Sequence, residues 1–119
     1  GLALGDKVSS RLLAQIINRS AGADGGTVGR TLLTDLPVGA LDGTLGDRFE
    51  GVGGAGTVRA KTGSLGTTAS LTGTVVTKDG RQLAFAVIVD DFEDGGLTSA
   101  RTAIDNDFVI PLADCGCSG

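Results

Sequence analysis

Four consecutive residues, Lys61-Thr62-Gly63-Ser64, combine carboxylate-binding groups with a bare backbone position. A lysine at a strand end can direct its ammonium into a cleft, where it attracts a carboxylate and influences proton transfer at a nearby serine. Thr62 adds a hydroxyl for that carboxylate, and Gly63 leaves room for an approaching peptide backbone. The Ser64 amide would donate to an oxyanion beside a strand edge that can pair with an extended peptide. Alone, the triplet also fits a solvated lysine before a turn.

The sequence contains no histidine, which limits the nucleophilic mechanisms that this chain could carry by itself. Ser-His-Asp and Cys-His mechanisms are excluded, as are most designs of catalytic zinc site. A nucleophile would need a lysine as its base. No serine is followed by lysine three positions later or by asparagine two positions later; the serines are Ser9, Ser10, Ser20, Ser64, Ser70, Ser99 and Ser118.

Two other patterns resemble binding motifs, but their context argues against them. Gly51, Gly53 and Gly56 have the spacing of a dinucleotide-binding loop. Such a loop follows a strand and opens a helix, whereas these glycines precede a predicted strand, so we interpret them as a connector. The acidic residues 90–94 do not fit a calcium loop, because Phe92 occupies a ligand position. We predict neither a metal site nor a cofactor.

Composition is typical of a folded domain or part of one. The 119 residues carry a net charge of −4, their basic residues are scattered, and only 3% are aromatic, which argues against nucleic-acid binding. The two cysteines, Cys115 and Cys117, cannot complete a zinc site without histidine. A disulfide, which would fit an extracytoplasmic compartment, and free thiols are both compatible with the sequence.

Helical periodicity characterises residues 1–50. It predicts a helix over residues 8–19, with Asp6 as its N-cap and Gly22 as its stop. A weaker helical pattern over residues 28–36 is ended by Pro37, and residues 45–49 could form one helical turn.

After residues 1–50, the helical pattern gives way to strand periodicity over residues 57–91. The predicted strands cover residues 57–62, 68–77 and 81–91, and Asp79-Gly80 marks the hairpin turn between the last two. The third strand is apolar on both faces, which predicts a central position in a sheet that is covered on both sides.

A terminal helix is predicted over residues 97–113. Leu97, Ala100, Ile104 and Phe108 mark its apolar face, and Pro111 ends it or kinks its last turn. Helices, antiparallel strands and a final helix predict an α+β fold without internal repeats.

The stretch 58–65, with residues 69–73 after it, resembles the strand pair at the Lys-Thr-Gly box of class C low-molecular-mass penicillin-binding proteins, the serine-type D-alanyl-D-alanine carboxypeptidase/endopeptidases. Residues 36–49 are similar to that family's segment before the box. Gly1-Leu2 and Lys7-Val8-Ser9 resemble the passage after its second active-site motif. The resemblance extends to about Asp91, and more loosely over the final helix.

This resemblance implies the C-terminal portion of a β-lactamase/penicillin-binding (transpeptidase-like) fold, with an antiparallel sheet covered by helices. Residues 1–119 would form one part of that domain. The family's Ser-x-x-Lys and Ser-x-Asn motifs would precede Gly1, so its nucleophile is expected in an upstream part of the same polypeptide. As catalytic residues, only Lys61, Thr62 and Gly63 carry over, with Lys61, Thr62 and the Ser64 amide binding substrate.

The implied function is trimming of peptidoglycan stem peptides at D-Ala-D-Ala by serine acyl transfer, outside the cytoplasm, in an enzyme that also binds β-lactam antibiotics such as penicillin. This chain alone is expected to be inactive. Two alternatives are a non-catalytic peptidoglycan- or peptide-binding module of the same fold and a β-lactamase-like hydrolase.

Overall fold

The computed structural model describes residues 5–115, which form two helices, three strands and a closing helical segment. The elements are α1 (Ser10–Ala21), α2 (Gly26–Thr34), β1 (Val58–Leu65), β2 (Thr68–Val76), β3 (Gln82–Val89), α3 (Leu97–Ala103), a π-helical turn (Ile104–Val109) and α4 (Ile110–Asp114). This α+β order agrees with the prediction. None of the described helices is long and apolar enough to span a bilayer.

Some predictions concern residues outside this range. Gly1-Leu2, part of the passage that resembles the penicillin-binding family, and Cys117 lie outside the described residues. Cys115 forms a disulfide bond, which is one of the two states that the sequence allows.

Helix α1 begins after a cap that differs from the predicted one. The Ser9 hydroxyl accepts a hydrogen bond from the Leu12 N–H at 3.1 Å, so Ser9 is the N-cap and the prediction of Asp6 is wrong. The reason is distance along the chain, because only the residue just before the first turn can reach its free N–H groups. Gly22 is the C-cap, as predicted.

Helix α2 ends at Thr34, with Asp35 as its C-cap, two residues before the predicted end. Pro37 disfavours a helical conformation at the residue before it, so Leu36 leaves the helix and is buried instead. The helical turn expected at residues 45–49 lies earlier, as a 3-10 turn at Gly43–Leu45.

Strand β1 is longer than predicted, and this changes the place of the Lys-Thr-Gly triplet. The strand continues to Leu65 because its last three residues pair with residues 68–70 of β2, and Gly66 then adopts a φ of 57° in the turn. Lys61 therefore lies inside a strand, opposite Thr72, and not at a strand end.

The hydrophobic core lies between one face of the sheet and the closing helical segment. Its buried members are Leu45, Phe49, Val58, Ala60, Ala69, Leu71, Val75, Phe85, Ala100, Ile104, Val109 and Ala113. Since successive side chains of a strand point to opposite faces, Thr62 and Ser64 lie on the face toward the closing helical segment, whereas Lys61 lies on the other face.

Strand β3 lies at an edge of the sheet, contrary to the predicted central position. The strand order is β1-β2-β3, and both pairs are antiparallel. Most side chains of β3 are only half-buried, although they are apolar on both faces. The prediction fails because no strand within residues 5–115 pairs with the outer edge of β3.

The closing helical segment contains a π-helical turn at Ile104–Val109, just before Pro111. Proline has no N–H to donate, and its ring crowds the carbonyl four residues earlier in a regular helix. The wider turn accommodates this proline, and the helix continues to Asp114, so Pro111 does not end it at once.

The same turn shifts which side chains are buried. Ala100 and Ile104 are buried as predicted, but Phe108 is 40% exposed and Val109 takes the buried position. The prediction for Phe108 is wrong because a period of 3.6 residues does not anticipate the residue that a π turn adds.

Candidate active site

Lys61 places its ammonium at the outer edge of β1. Its side chain is exposed, and Nζ donates a hydrogen bond to the Thr62 carbonyl oxygen at 2.8 Å. The backbone groups of residues 58 and 60 face this outer edge, because they bond to the segment that precedes β1. By the two-residue period of a strand, the backbone groups of Thr62 and Ser64 face the same edge.

This edge is closed at its beginning and open at its end. The Ala60 N–H donates to the Pro37 carbonyl at 3.0 Å, and the Gly39 N–H donates to the Val58 carbonyl at 2.9 Å. Beyond Ala60, no backbone group within residues 5–115 pairs with the edge. A row of unpaired N–H and C=O groups can accept an extended peptide as an added strand.

Thr62 lies beside a cavity of about 240 Å³ between β1 and the closing helical segment. The cavity is lined by Thr44, Arg48, Thr62 and Arg101. The Thr62 and Thr44 hydroxyl oxygens are 3.4 Å apart. The cavity lining therefore consists of two threonines and two arginines, one of which, Thr62, belongs to the open part of β1.

The two arginines of this cavity have different partners. Arg48 forms an ion pair with Asp105, in which Nε donates to one carboxylate oxygen at 2.8 Å and the second nitrogen contacts the other. Arg101 donates to the Ser64 hydroxyl at 3.0 Å. Arg48 and Arg101, with Thr44, also line a second cavity of about 550 Å³, so the two spaces are neighbours.

Phe49 supports the segment that brings Thr44 and Arg48 to the cavity. Its ring is buried, and a Cβ atom added at Gly39 or Gly54 would come within 3.0 Å of it. The Arg48 guanidinium carbon lies 5.7 Å from the ring centroid. Close packing of glycines around this ring therefore fixes the backbone next to β1.

Gly63 serves the packing of the sheet as well as the backbone edge. Gly63 and Ser70 are cross-strand partners, and a Cβ atom at Gly63 would collide with the Ser70 Oγ. The Ser70 hydroxyl thus occupies the space that a side chain at Gly63 would need, on the face of the sheet that carries Lys61.

Asp90 lies in the acidic segment after β3, and hydrogen bonds to its carboxylate perturb its titration. The Thr68 hydroxyl donates to its carboxylate and lowers the pKa of Asp90, with a smaller contribution from the Asp91 N–H. This arrangement is local to the strand end, in agreement with a solvated turn.

The structure therefore places the predicted residues in two neighbouring positions. Lys61 and the backbone of Ser64 lie at the open edge, and the Thr62 side chain lies beside the cavity. Sequence reasoning missed the cavity-lining roles of Thr44, Arg48 and Arg101. Their separation along the chain hides the cluster, and no motif joins them.

The described residues thus form an α+β domain with an open sheet edge and a small cavity beside it. Over residues 1–107, the sequence matches the D-Ala-D-Ala carboxypeptidase 3 (S13) family, and the chain belongs to that family. The resemblance to D-Ala-D-Ala carboxypeptidases that the sequence indicates is confirmed at this level.

Two curated relatives and one solved structure agree with this assignment. Over 99% of this chain, the sequence is 38% identical to a carboxypeptidase of Mycobacterium tuberculosis. Over 98% of this chain, it is 36% identical to carboxypeptidase DacB of Mycolicibacterium smegmatis. It spans 25% of the length of each relative. A predatory peptidoglycan endopeptidase from Bdellovibrio bacteriovorus superposes with a TM-score of 0.58 at 30% identity, over 75% of this chain and 24% of that one.

Proposed function

We propose that this chain forms the Lys-Thr-Gly side of the active site of a peptidoglycan D-Ala-D-Ala carboxypeptidase/endopeptidase. The observation that carries the proposal is the edge of β1 beyond Ala60, which has no backbone partner within residues 5–115. The Lys61 ammonium and the Ser64 amide lie along this edge, and the Thr62 side chain lines the cavity. Family membership supports the reaction class, and the similarity to the Bdellovibrio peptidoglycan endopeptidase supports peptidoglycan as the substrate.

Substrate binding follows from strand addition. A stem peptide would pair with the backbone of residues 62–64 and direct its terminal carboxylate toward the Thr62 hydroxyl. The Lys61 ammonium lies at the same edge and would add positive charge. The Ser64 N–H, which faces outward, would donate to the oxyanion that forms when the scissile carbonyl is attacked.

The nucleophile is assigned to an upstream part of the same polypeptide. No serine of this chain has a lysine three positions later, and the chain has no histidine to act as a base. In the complete enzyme, a serine would attack the D-Ala-D-Ala bond, D-Ala would leave with a proton from the base, and water would release the enzyme. Penicillin would acylate the same serine.

Exposed apolar surface supports a contact with that upstream part. The outer edge of β3 has no strand partner among the described residues, and its side chains are half-buried. Leu12 and Ile16 of α1 are 48% and 45% exposed, although they share a predicted apolar face with buried Ile17. An unprotected apolar edge strand is a site for pairing with further chain. For the whole protein we propose the β-lactamase-like, transpeptidase fold of the family that the sequence resembles, and an extracytoplasmic location because peptidoglycan lies outside the cytoplasm.

Labelling with a fluorescent penicillin tests this function. The complete polypeptide that carries this chain is expected to form a stable covalent adduct, and the isolated 119 residues are expected to form none. A stable adduct on the isolated chain, or none on the complete polypeptide, would contradict the proposal.

A further inference from the structure

The cavity beside Thr62 is a basic, hydroxyl-lined space. Its four lining residues contribute two guanidinium groups and two hydroxyl groups, and none of them is acidic. Hydroxyl and guanidinium donors are the groups that bind carboxylates and other oxyanions in proteins. Its volume of about 240 Å³ is smaller than typical pockets for drug-sized ligands, which are about 300–1,000 Å³, so it suits the end of a ligand.

The positive charge of this cavity comes from Arg101. Arg48 is neutralised by its ion pair with Asp105, in which both side chains are largely buried. Arg101 is exposed, and within residues 5–115 no carboxylate lies within ion-pair distance of it. Its hydrogen bond goes to the neutral hydroxyl of Ser64 and leaves further guanidinium N–H donors for a ligand.

Lys61 does not supply this charge. Its side chain lies on the opposite face of the sheet, its ammonium bonds to the Thr62 carbonyl, and it does not line the cavity. The Thr62 hydroxyl therefore comes from β1, and Arg101, the lining cation without a carboxylate partner within residues 5–115, comes from the closing helix.

We propose that Arg101 is a specificity-determining residue that binds the terminal carboxylate of the peptide together with Thr62. This inference rests on the proposed function, because it takes D-Ala-D-Ala peptides as the ligand. Ser64 holds the guanidinium against the strand end, so Arg101 is positioned before the ligand arrives. A charge-assisted pair formed by a pre-positioned arginine favours an acid over its uncharged amide.

Titration of the complete polypeptide with N-acetyl-D-alanyl-D-alanine and with its C-terminal amide, followed by ligand-observed NMR, tests this role. The wild-type polypeptide is expected to bind the acid at least about tenfold more tightly than the amide, as one charge-assisted hydrogen bond implies. Arg101→Gln should abolish this preference, and Arg101→Lys should retain part of it because the charge remains. Arg30→Gln, which removes an exposed charge from α2, is the matched control and should keep the full preference.

The outcomes separate this inference from the proposed function. A preference that survives Arg101→Gln, or a wild-type polypeptide that binds acid and amide equally or binds neither, overturns the role of Arg101. Penicillin labelling of the wild-type complete polypeptide reports the proposed function independently. Labelling without an acid preference in the titration would leave the peptidase assignment intact and remove only the carboxylate role of Arg101. Dispersed amide signals in each variant exclude unfolding as the cause.

Discussion

Arg101 donates a hydrogen bond to the Ser64 hydroxyl at 3.0 Å, although 37 positions separate them in the sequence. This contact joins the closing helix to the end of β1, directly beside the open backbone edge. The hydroxyl of Ser64 and its amide therefore have separate tasks. The hydroxyl orients the Arg101 guanidinium on the face toward the closing helical segment, and the amide faces the edge where a peptide would pair.

Replacement of Thr62 by valine tests the contribution of its hydroxyl. Valine keeps the shape, and the bond to Thr44 is long at 3.4 Å, so the free energy of unfolding should change by less than about 0.5 kcal/mol. In the complete polypeptide, kcat/KM for a D-Ala-D-Ala peptide should fall about tenfold, because a hydrogen bond to the carboxylate is lost. Thr44→Val, which removes the neighbouring hydroxyl of the same cavity, is the comparison variant. Unchanged kinetics for Thr62→Val would exclude Thr62 from substrate binding.

The Arg48–Asp105 ion pair should contribute measurably to stability. Asp105→Asn leaves the guanidinium without a charged partner in a largely buried position, and we expect a loss of about 2 kcal/mol in urea unfolding. Asp107→Asn changes an exposed carboxylate in the same π turn and should cost less than about 0.5 kcal/mol. Equal losses of unfolding free energy in the two variants would show that the Arg48–Asp105 ion pair does not stabilise the fold.

A methyl group at Gly63 should destabilise the sheet through Ser70. Gly63→Ala is expected to lower the free energy of unfolding by about 1 kcal/mol, because the new Cβ forces the Ser70 hydroxyl aside. Ser70→Ala removes that oxygen, so Gly63→Ala should cost much less in the Ser70→Ala background. A double-mutant cycle measured by urea unfolding gives the coupling directly. An additive cycle would mean that the two positions do not clash.

The register after the π turn can be checked at two adjacent residues. Val109→Ala should cost about 2 kcal/mol in thermal or urea unfolding, because this side chain is fully buried. Phe108→Ala should cost about 1 kcal/mol, since its ring is partly exposed and its loss removes mainly the tilted contact with Phe85. A larger loss of stability for Phe108→Ala than for Val109→Ala would indicate that the helix is regular here and that Phe108, not Val109, is the buried residue.

Thr68 should control the acid titration of Asp90. Its hydroxyl stabilises the carboxylate and lowers the pKa of Asp90, so this contact stabilises the fold above the ordinary aspartate pKa. The contribution is lost as the pH falls from that value through the lower, folded-state pKa. Thr68→Val should raise the pKa of Asp90 in an NMR titration, whereas Thr67→Val should leave it unchanged. A pKa that does not move would assign the shift to the backbone N–H of Asp91.

Sequence reasoning predicted those features that local chemistry determines. The turn at Asp79-Gly80, the stop at Gly22 and the strand character of residues 68–76 follow from residue types over short windows. Features that depend on distant partners were missed. The exposed edge of β3 depends on whether another strand is present, and the burial of Val109 depends on a single π turn.

In the candidate site, too, the residues of one short segment were predicted from the sequence, and the residues that meet only in the folded structure were not. A motif of four adjacent residues identified Lys61, Thr62, Gly63 and Ser64, because their spacing along one strand determines where they lie. The cavity was not predictable, because Arg48 and Arg101 meet only after the core has packed between the sheet and the helix. Neither arginine has a sequence pattern that distinguishes it from a solvated surface charge.

The π turn at Ile104–Val109 divides the closing helix into halves with different tasks. Arg101 lies before the turn and reaches Ser64 at the end of β1, whereas Val109, the last residue of the turn, and Ala113 beyond it are buried in the core. Because the wide turn absorbs a change of phase, a relative with a regular helix here would rotate one half by roughly 100° against the other. Loss of the extra residue would thus either turn Arg101 away from Ser64 or take Val109 and Ala113 out of the core, so this one turn couples the position of the arginine to the packing of the helix end.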